Sequence, residues 1–428
     1  MTAHRLSKRQ FLGLMAAVPL TGLVGCGGSS GDVSVRLVNA SGYGSLDLYI
    51  EDDLFLSSID YGSVSGYTDT ASGTVTTALT AADSSTYLLS QSRTLDSDTQ
   101  YTIVAYGWQG ALKSNIFTDD TDAADSGKTK VTVLNTATDA GSLDVYLTAE
   151  DDDLDASTPV ASSVAGGATS SVTSVSSGTY RLRVTGADDT TDVRLDVSGV
   201  VLTSTEVDTL VLMPGSSGVL VHAIQLVQGG GSTTFLNTQA RVRVVGAVAD
   251  SGRVTVSVGG VALATNAPSP SVNTYTLVDA GDVTVSTTVA GVALDGVSTT
   301  LVAGSDVTIL VNGSTAAPTV TVNTDDNRLP TSDSKYKLRL CNAMTGMEDY
   351  PLTLTVDYAS VASEIAQGAL SSYTALASST SATLEVSSAL SSTALYSLTD
   401  TTMSAQGVYT VFMFGTAAAP SGALRKER

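Results

Sequence analysis

Four copies of one short strand motif constrain the fold of this chain more than any other feature. The copies read VRLVN, VTVLN, VRVVG and LRLCN, and they begin at Val35, Val131, Val242 and Leu338. Alternating apolar and polar residues, many of them β-branched, predict a half-buried strand, and the Asn or Gly that follows favours a turn. Copies one and three start 207 residues apart, and so do copies two and four. Equal offsets indicate four repeats that arose by duplication of a pair.

Other segments recur at matching places within each repeat. A second strand follows the first after about ten residues; it begins at Ser45, Ser142, Arg253 and Leu352. Repeats of this length, with many short strands and polar turns, are typical of an immunoglobulin-like sandwich. The sequence therefore predicts an all-β protein of four tandem immunoglobulin-like β-sandwich repeats, arranged as two duplicated pairs. Closed barrels, or strands shared between paired repeats, are the alternatives. The predicted repeats are residues 32–120, 128–228, 235–324 and 334–428.

Residues 1–25 have the layout of an export signal. Basic residues precede an apolar run from Phe11 to Val24, and this run is too short for an ordinary membrane-spanning helix. The segment Leu23–Cys26 resembles the lipobox of bacterial lipoproteins, which implies that Cys26 is lipidated. Residues 26–31 then form the lipidated cysteine and a flexible Gly/Ser tether.

Two further resemblances concern the export route and the destination. The segment Ser7–Leu12 resembles the twin-arginine export motif, with Lys8 in place of the first arginine. Gly27 follows the cysteine, where lipoprotein sorting rules place Asp in proteins kept at the inner membrane. This likeness implies an outer-membrane lipoprotein, on the cell surface or on the periplasmic face, held by its acyl chains.

The repeats also resemble a bacterial domain family of unknown function. Its members begin with a Val-Arg-Val-Val-His-Ala-Ser strand, continue with an Asp-Val-Tyr strand, a further tyrosine and an Ala-Gly turn, and end with a Tyr-Thr-Val strand. The matching residues here are Val35–Ser41, Leu46–Tyr49, Tyr67 and Tyr101–Val104. The resemblance implies a secreted or surface protein with tandem copies, and it brings no catalytic residues.

The charge balance limits the choice of partners. The chain has 42 acidic and 21 basic residues, which give a formal net charge of −21. Such an acidic chain repels nucleic acid, so no nucleic-acid partner is expected. Calcium prefers several loop oxygen ligands, which makes two acidic clusters candidate sites. Solvated turns that discourage edge pairing are the alternative reading, and no other cofactor is expected. The candidates are Glu51, Asp52, Asp53, Asp151, Asp152 and Asp153.

Residues suited to catalysis are scarce. His222 is the single histidine after the signal, and no nucleophile motif accompanies it, so we expect a structural role. Cys341 aligns with Val38, Leu134 and Val245, which predicts a buried core cysteine. With Cys26 lipidated, no disulfide remains. The sequence therefore predicts that the protein is not an enzyme.

Aromatic residues concentrate in the first repeat. Tyr43, Tyr61, Tyr106 and Trp108 have no counterparts that would explain them as packing residues, so they are candidates for ligand binding. The leading hypothesis is a non-enzymatic, lipid-anchored envelope protein that serves as a spacer and adhesion-like interaction surface. Its partner would be an envelope protein or a glycan. The alternative is a carbohydrate- or matrix-binding module centred on repeat one. The segment Arg425–Arg428 is expected to be a frayed tail.

Overall fold

A computed structural model describes residues 32–428 as strands joined by turns, with one 3-10 turn at Thr138–Ala140. Cys26 and the predicted signal lie outside the described residues. Between residues 32 and 428, no helix is long and apolar enough to cross a membrane.

The strands of the first half fall into two units. Unit 1 contains β1 (Asp32–Ser41), β2 (Ser45–Ile50), β3 (Asp53–Asp60), β4 (Thr68–Ala71), β5 (Gly73–Ala81), β6 (Tyr87–Leu95), β7 (Gln100–Gly107) and β8 (Lys113–Thr118). Unit 2 contains β9 (Lys128–Asn135), β10 (Leu143–Thr148), β11 (Ala161–Val164), β12 (Thr173–Ser176), β13 (Gly178–Gly186), β14 (Asp189–Leu202), β15 (Val207–Pro214), β16 (Val221–Val227) and β17 (Ser232–Phe235).

The second half repeats this order. Unit 3 contains β18 (Gln239–Val248), β19 (Val254–Val258), β20 (Val261–Ala267), β21 (Ser271–Val272), β22 (Thr276–Asp279), β23 (Gly281–Val289), β24 (Val292–Ala293), β25 (Val297–Leu301), β26 (Asp306–Gly313) and β27 (Pro318–Asp325). Unit 4 contains β28 (Lys335–Asn342), β29 (Leu352–Val356), β30 (Ala359–Ile365), β31 (Thr374–Ala377), β32 (Ser379–Ser388), β33 (Tyr396–Met403), β34 (Val408–Thr416) and β35 (Ala419–Lys426).

Each unit is a sandwich of two sheets. In unit 1 the sheet orders are β4-β1-β7-β8 and β3-β2-β5-β6, and unit 4 has the equivalent orders β31-β28-β34-β35 and β30-β29-β32-β33. The first strand of every unit runs parallel to a late strand, as β1 does to β7 and β28 does to β34. Each unit owns a separate apolar core between its two sheets. The predicted fold class, tandem β-sandwich repeats in two pairs, is confirmed.

The units associate in pairs through the sheets that contain their first strands. Val38 and Val104 of unit 1 pack with Leu134 and Val211 of unit 2 in a shared apolar cluster. An equivalent cluster joins units 3 and 4. It contains Val245, Ala247, Leu310, Cys341, Ala343, Phe412 and Phe414. The first strands are therefore buried on both faces, and the prediction that they are half-buried is wrong.

A buried arginine in three of the four first strands reinforces this pairing. Arg36, Arg243 and Arg339 each donate from Nε to the threonine opposite on the parallel strand, over 2.8 to 3.1 Å. Each guanidinium also lies over a tyrosine ring at 4.5 to 4.6 Å from its centroid. Hydrogen bonds and aromatic faces together offset part of the cost of burying the charge.

In units 3 and 4 the arginines are neutralised reciprocally. Arg243 of unit 3 binds Glu427 of unit 4 at 2.6 Å, and Arg339 of unit 4 binds Asp325 of unit 3 at 2.6 Å. Glu427 follows β35, so the last segment of the chain is part of an interface. The prediction that Arg425–Arg428 forms a frayed tail is wrong, because this segment pairs with β34 and supplies a buried ion pair.

Candidate functional site

Trp108 lies at the point where the two pairs of units meet. It follows β7 directly, and its indole packs on Gly42, where a side chain would collide with the ring. The guanidinium of Arg328, from the segment between units 3 and 4, covers one face of the indole at 4.8 Å from the ring centroid. The indole Nε1 donates to Asp139 Oδ2 of unit 2 over 2.8 Å. The ring is therefore covered on one face by Arg328, packed against Gly42, and bonded at its polar edge to Asp139.

Asp139 is the buried acceptor that holds this junction together. It lies on the 3-10 turn of unit 2, and its Oδ2 also accepts a hydrogen bond of 2.9 Å from the backbone N–H of Leu329. Burial raises the pKa of this carboxyl, although the hydrogen bonds from Leu329 and Trp108 oppose the rise. Arg428, after the last strand of unit 4, donates to the backbone oxygens of Asp139 and Gly218. Units 1, 2 and 4 and the segment between units 3 and 4 thus meet at one junction.

A cleft of about 790 Å³ opens beside Trp108. Its walls come from unit 1, from β27 of unit 3, from the segment between units 3 and 4, and from β28 and the approach to β31 in unit 4. A smaller cavity of about 310 Å³ lies against Trp108 and Asp139. The cleft is lined by Trp108, Gln109, Val322, Asn323, Thr324, Asp326, Arg328, Leu329, Pro330, Thr331, Lys337, Arg339, Leu370, Ser371, Ser372, Tyr373 and Ala375.

Two cations on β28 form the floor of the cleft around one aromatic ring. Lys337 Nζ lies 4.8 Å from the centroid of Tyr373, and the guanidinium of Arg339 lies 4.5 Å from it. Nζ of Lys337 donates to the backbone oxygens of Asp326 and Arg328, at 2.9 and 2.8 Å. These bonds fix the ammonium in place, so its field at the cleft is preorganised.

Asp326 is the one carboxylate in the wall of the cleft. Burial opposes its ionisation, but the hydrogen bond from Arg328 and the charge of Lys337 outweigh burial and lower its pKa. The pKa of Lys337 is lowered as well, because burial lowers it more than the charge of Asp326 raises it. The cleft is a polar, charged recess rather than an apolar pocket.

The other aromatic candidates from the sequence lie elsewhere. Tyr61 Oη donates to the backbone oxygen of Pro214 over 2.7 Å, and the buried Tyr106 packs in the cluster between units 1 and 2. Tyr43 Oη accepts a hydrogen bond of 3.2 Å from Gly110. The structure does not bring these three tyrosines to the cleft with Trp108, and their role in ligand binding stays a prediction.

The acidic candidates for calcium occupy turns after the second strands of units 1 and 2. Glu51 accepts a hydrogen bond from the backbone N–H of Thr76, and Asp52 accepts one of 2.9 Å from Tyr87. Asp152 and Asp153 accept bonds from nearby backbone N–H groups, while Asp53 and Asp151 are exposed. Across residues 32–428, no three His, Cys, Asp or Glu side chains converge in a way that would hold a metal ion. Calcium binding at these turns stays a prediction.

His222 and Cys341 both lie in packed surroundings. His222 Nδ1 accepts a hydrogen bond of 2.8 Å from the backbone N–H of Asn237, and burial lowers its pKa to about 4. Cys341 is fully buried in the cluster between units 3 and 4, and burial raises its pKa to about 12. A thiol with so high a pKa is a poor nucleophile, since the thiolate is the reactive form. The predicted core position of Cys341 is confirmed.

Sequence reasoning did not identify Arg328, Lys337, Arg339 or Tyr373 as site residues. One signal for Arg339 was available, because an arginine recurs inside the first strand of three repeats. Arg328 and Lys337 carry no such signal, since they reach the cleft only through the way units 1, 3 and 4 assemble.

The fold and this junction define a class: a tandem, all-β protein whose paired sandwiches enclose a polar cleft. The family model described as Domain of unknown function (DUF4397) matches residues 33–146 and 240–349, slightly more than half of the chain. The chain therefore belongs to this family and carries two copies of its domain. The matches begin 207 residues apart, the offset found between the strand motifs. Each match covers one complete unit and the start of the next.

Solved structures with partial likeness were also found. A family CBM26 module of Eubacterium rectale Amy13K, solved with maltoheptaose, is 9% identical over 48% of this chain and 96% of its own, with a TM-score of 0.15. A Bacteroides uniformis protein proposed to act in cell adhesion is 10% identical over 47% and 98%, with a TM-score of 0.19.

A third structure is SGBP-B of the Bacteroides ovatus mixed-linkage glucan utilization locus, solved with a heptasaccharide. It is 11% identical over 79% of this chain and 86% of its own, with a TM-score of 0.11. No curated protein matches the chain.

Proposed function

We propose that this chain is an exported, non-enzymatic protein, anchored in the outer membrane through acyl chains on Cys26. Its cleft beside Trp108 serves as the interaction surface. One observation carries the proposal: four separate segments converge on a preorganised, charged recess that the packing of the individual units does not require. Binding sites commonly occur at such domain interfaces.

The way the units associate favours a binding role over a spacer role. Units in an extended row would contact only their neighbours in sequence. Here Arg428 of unit 4 bonds to Asp139 of unit 2, and Arg328 packs on Trp108 of unit 1. These contacts shorten the molecule, so length is not what the assembly provides.

The geometry also bears on the alternative, a carbohydrate-binding module that uses Trp108. Sugars stack on an open aromatic face, whereas Arg328 covers one face of this indole and Gly42 packs against the ring. Stacking on the covered face would require Arg328 to leave its position, and the rest of the cleft is the better place for a ligand.

The binding role is tested with a soluble form that starts at Gly27. Binding to isolated envelopes of the source bacterium is measured for the unchanged protein and for Ser372→Trp, which places an indole in the cleft. Ser298→Trp, at an exposed position on β25 of unit 3, is the matched control. We expect Ser372→Trp alone to lose binding. Equal binding by both variants would refute the role of the cleft.

Anchoring is tested separately in cells. Cys26→Ser removes the thiol that would carry the acyl chains, so the full-length protein is expected in the soluble fraction after fractionation. Retention of this variant in the membrane fraction would contradict lipid anchoring and leave the role of the cleft unaffected.

A further inference from the structure

We propose that the cleft receives an extended, acidic peptide segment of a partner protein, which lies along the free edge of β27. This inference rests on the proposed function and names the class of ligand. It depends on two independent features of the cleft: an excess of positive charge and an unpaired strand edge.

The charge of the cleft is opposite in sign to that of the chain. Three of the 21 Lys and Arg residues, Arg5, Lys8 and Arg9, precede residue 32, which leaves 18 basic and 42 acidic residues in the described part. Arg328, Lys337 and Arg339 line the cleft, and among its described lining residues Asp326 is the single acidic one. Asp325, which is not part of the lining, pairs with Arg339, so three cations face two carboxylates. An acidic surface repels acidic partners, so a cationic recess within it selects where such a partner can approach.

Part of this positive charge is free to bind a ligand. Arg328 pairs with Asp326 through Nε and Nη2, and Arg339 uses Nε and Nη2 for Thr410 and Asp325. Nη1 of both arginines makes no hydrogen bond to another described residue. The Nη1 edge of Arg328 can therefore donate to a carboxylate of the ligand, whereas the side chain of Arg339 is only 3% exposed and stays paired with Asp325.

The backbone of the cleft wall favours a peptide as the ligand. Val322, Asn323 and Thr324 belong to β27, which pairs with β26 on one side and lies at the edge of its sheet. Across the cleft, Ala375 belongs to β31, also an edge strand, which pairs only with β28. Edge strands present unpaired N–H and C=O groups, and an extended peptide can add to them as a new strand.

The soluble form that starts at Gly27 is titrated into fluorescein-labelled peptides, and anisotropy is recorded. The probe is a seven-residue peptide of alternating Glu and Thr, and its matched control has Gln in place of Glu. We expect the Glu peptide to bind at least about tenfold more tightly, since the charge-assisted bond to Arg328 and the attraction to the net positive cleft are lost in the control. Arg328→Gln should weaken the Glu peptide severalfold, while Arg253→Gln, an exposed arginine of unit 3, should leave it unchanged.

Hydrogen exchange then shows where the peptide lies. Protection of backbone amides in Val320–Thr324 on addition of the Glu peptide is the expected result, because strand addition engages these groups. Equal affinity for the Glu and Gln peptides, or binding without protection of β27, would overturn the inference. Tighter binding of oligogalacturonate than of the Glu peptide would also overturn it, in favour of an acidic glycan. If Ser372→Trp abolishes envelope binding while neither peptide binds, the proposed function stands and the ligand class is wrong.

Discussion

Asp208 offers a test of how burial controls stability in this fold. It lies on β15 at a core position that other units fill with Tyr101, Val307 and Tyr409. Its side chain is fully buried, Oδ2 accepts a bond of 2.7 Å from Gln225, and Oδ1 has no partner among the described residues. Burial raises its pKa from 3.8 to about 6, although the bond from Gln225 opposes the rise.

The magnitude follows from the two pKa values. Asp208 binds its proton more tightly in the folded protein than in the unfolded chain. Ionisation of Asp208 therefore lowers the free energy of unfolding. A rise of about two units corresponds to about 3 kcal/mol above the folded pKa of about 6. This cost shrinks as the pH falls through the folded pKa, and it is nearly absent below the unfolded pKa of 3.8.

Asp208→Asn removes the charge and keeps an acceptor for Gln225. We expect the variant to raise the free energy of unfolding of unit 2 by about 2–3 kcal/mol at pH 8, and by less than about 1 kcal/mol at pH 4. The assay is the opening free energy of amides in β9, β15 and β16, measured by hydrogen exchange at both pH values. Asp196→Asn, on the partly exposed pair with Arg181, is a control without a buried, unpaired oxygen. A stabilisation of equal size at both pH values, or none at pH 8, would refute the reasoning.

Two further predictions concern the contacts between units. Glu427→Ala leaves the buried Arg243 without its carboxylate. We expect this variant to lower the free energy of unfolding of units 3 and 4 by about 3–5 kcal/mol in denaturant titration. Lys426→Ala, at the exposed neighbouring residue, should lower it little. Arg328→Ala uncovers one face of Trp108, the single tryptophan, so acrylamide should quench its fluorescence more strongly. Quenching that stays unchanged would show that Arg328 does not cover the ring in solution.

The sequence predicted the parts of the fold that depend on local pattern. The four first strands, the equal offsets and the sandwich class all follow from short-range alternation and spacing. The alternation of apolar residues predicted that one face of each first strand is buried. Residues on that face, such as Leu37, do pack in the core of their own unit. Residues on the other face, such as Val38, are buried by the neighbouring unit. Contacts between units leave no regular pattern in the sequence of a single strand, so the alternation of apolar residues cannot predict them.

The candidate site was harder to predict than the fold. Trp108 was identified because it is the only tryptophan, and the structure does place it at the cleft. The other charged members lie more than 200 residues further along the chain, and only the assembly of the units brings Arg328 and Lys337 near the indole. The expected frayed tail failed for a similar reason, since the partner of Glu427 is Arg243, a residue of another unit.

The buried charges between the units follow a rule of balance that no single repeat reveals. The second residue of the first-strand motif is an arginine in three units, Arg36, Arg243 and Arg339, but it is Thr132 in unit 2. A second position lies on the strand that pairs with β7 or its equivalent, one residue after the partner of Tyr101 or its equivalent. It holds Asp119 in unit 1, Asp325 in unit 3 and Glu427 in unit 4, but Gln228 in unit 2. Unit 2 is thus neutral at both positions. A lone buried charge costs several kcal/mol, whereas the absence of both charges leaves the interface balanced.

In the pair of units 1 and 2, the remaining charges adapt to this neutrality. Arg36 donates to the backbone oxygens of Gly230 and Val227 in unit 2, and its Nη2 lies 3.6 Å from Asp119 of its own unit. Gln228 instead bonds to the backbone of Thr121. In this pair, the backbone carbonyl oxygens of unit 2 accept the hydrogen bonds of Arg36. In the other pair, the carboxylate of Glu427 binds the equivalent Arg243.

A double-mutant cycle tests the rule. Thr132→Arg adds a buried cation and Gln228→Glu adds a buried anion, so each single change should destabilise units 1 and 2 strongly. Together they recreate the reciprocal arrangement of units 3 and 4, in which the introduced arginine would face Asp119 and the introduced glutamate would face Arg36. We therefore expect the double variant to be more stable than the sum of the single effects predicts, with a coupling of about 1–3 kcal/mol in denaturant unfolding. Additive effects would mean that the charges at this interface act independently, and that the neutrality of unit 2 has another physical cause.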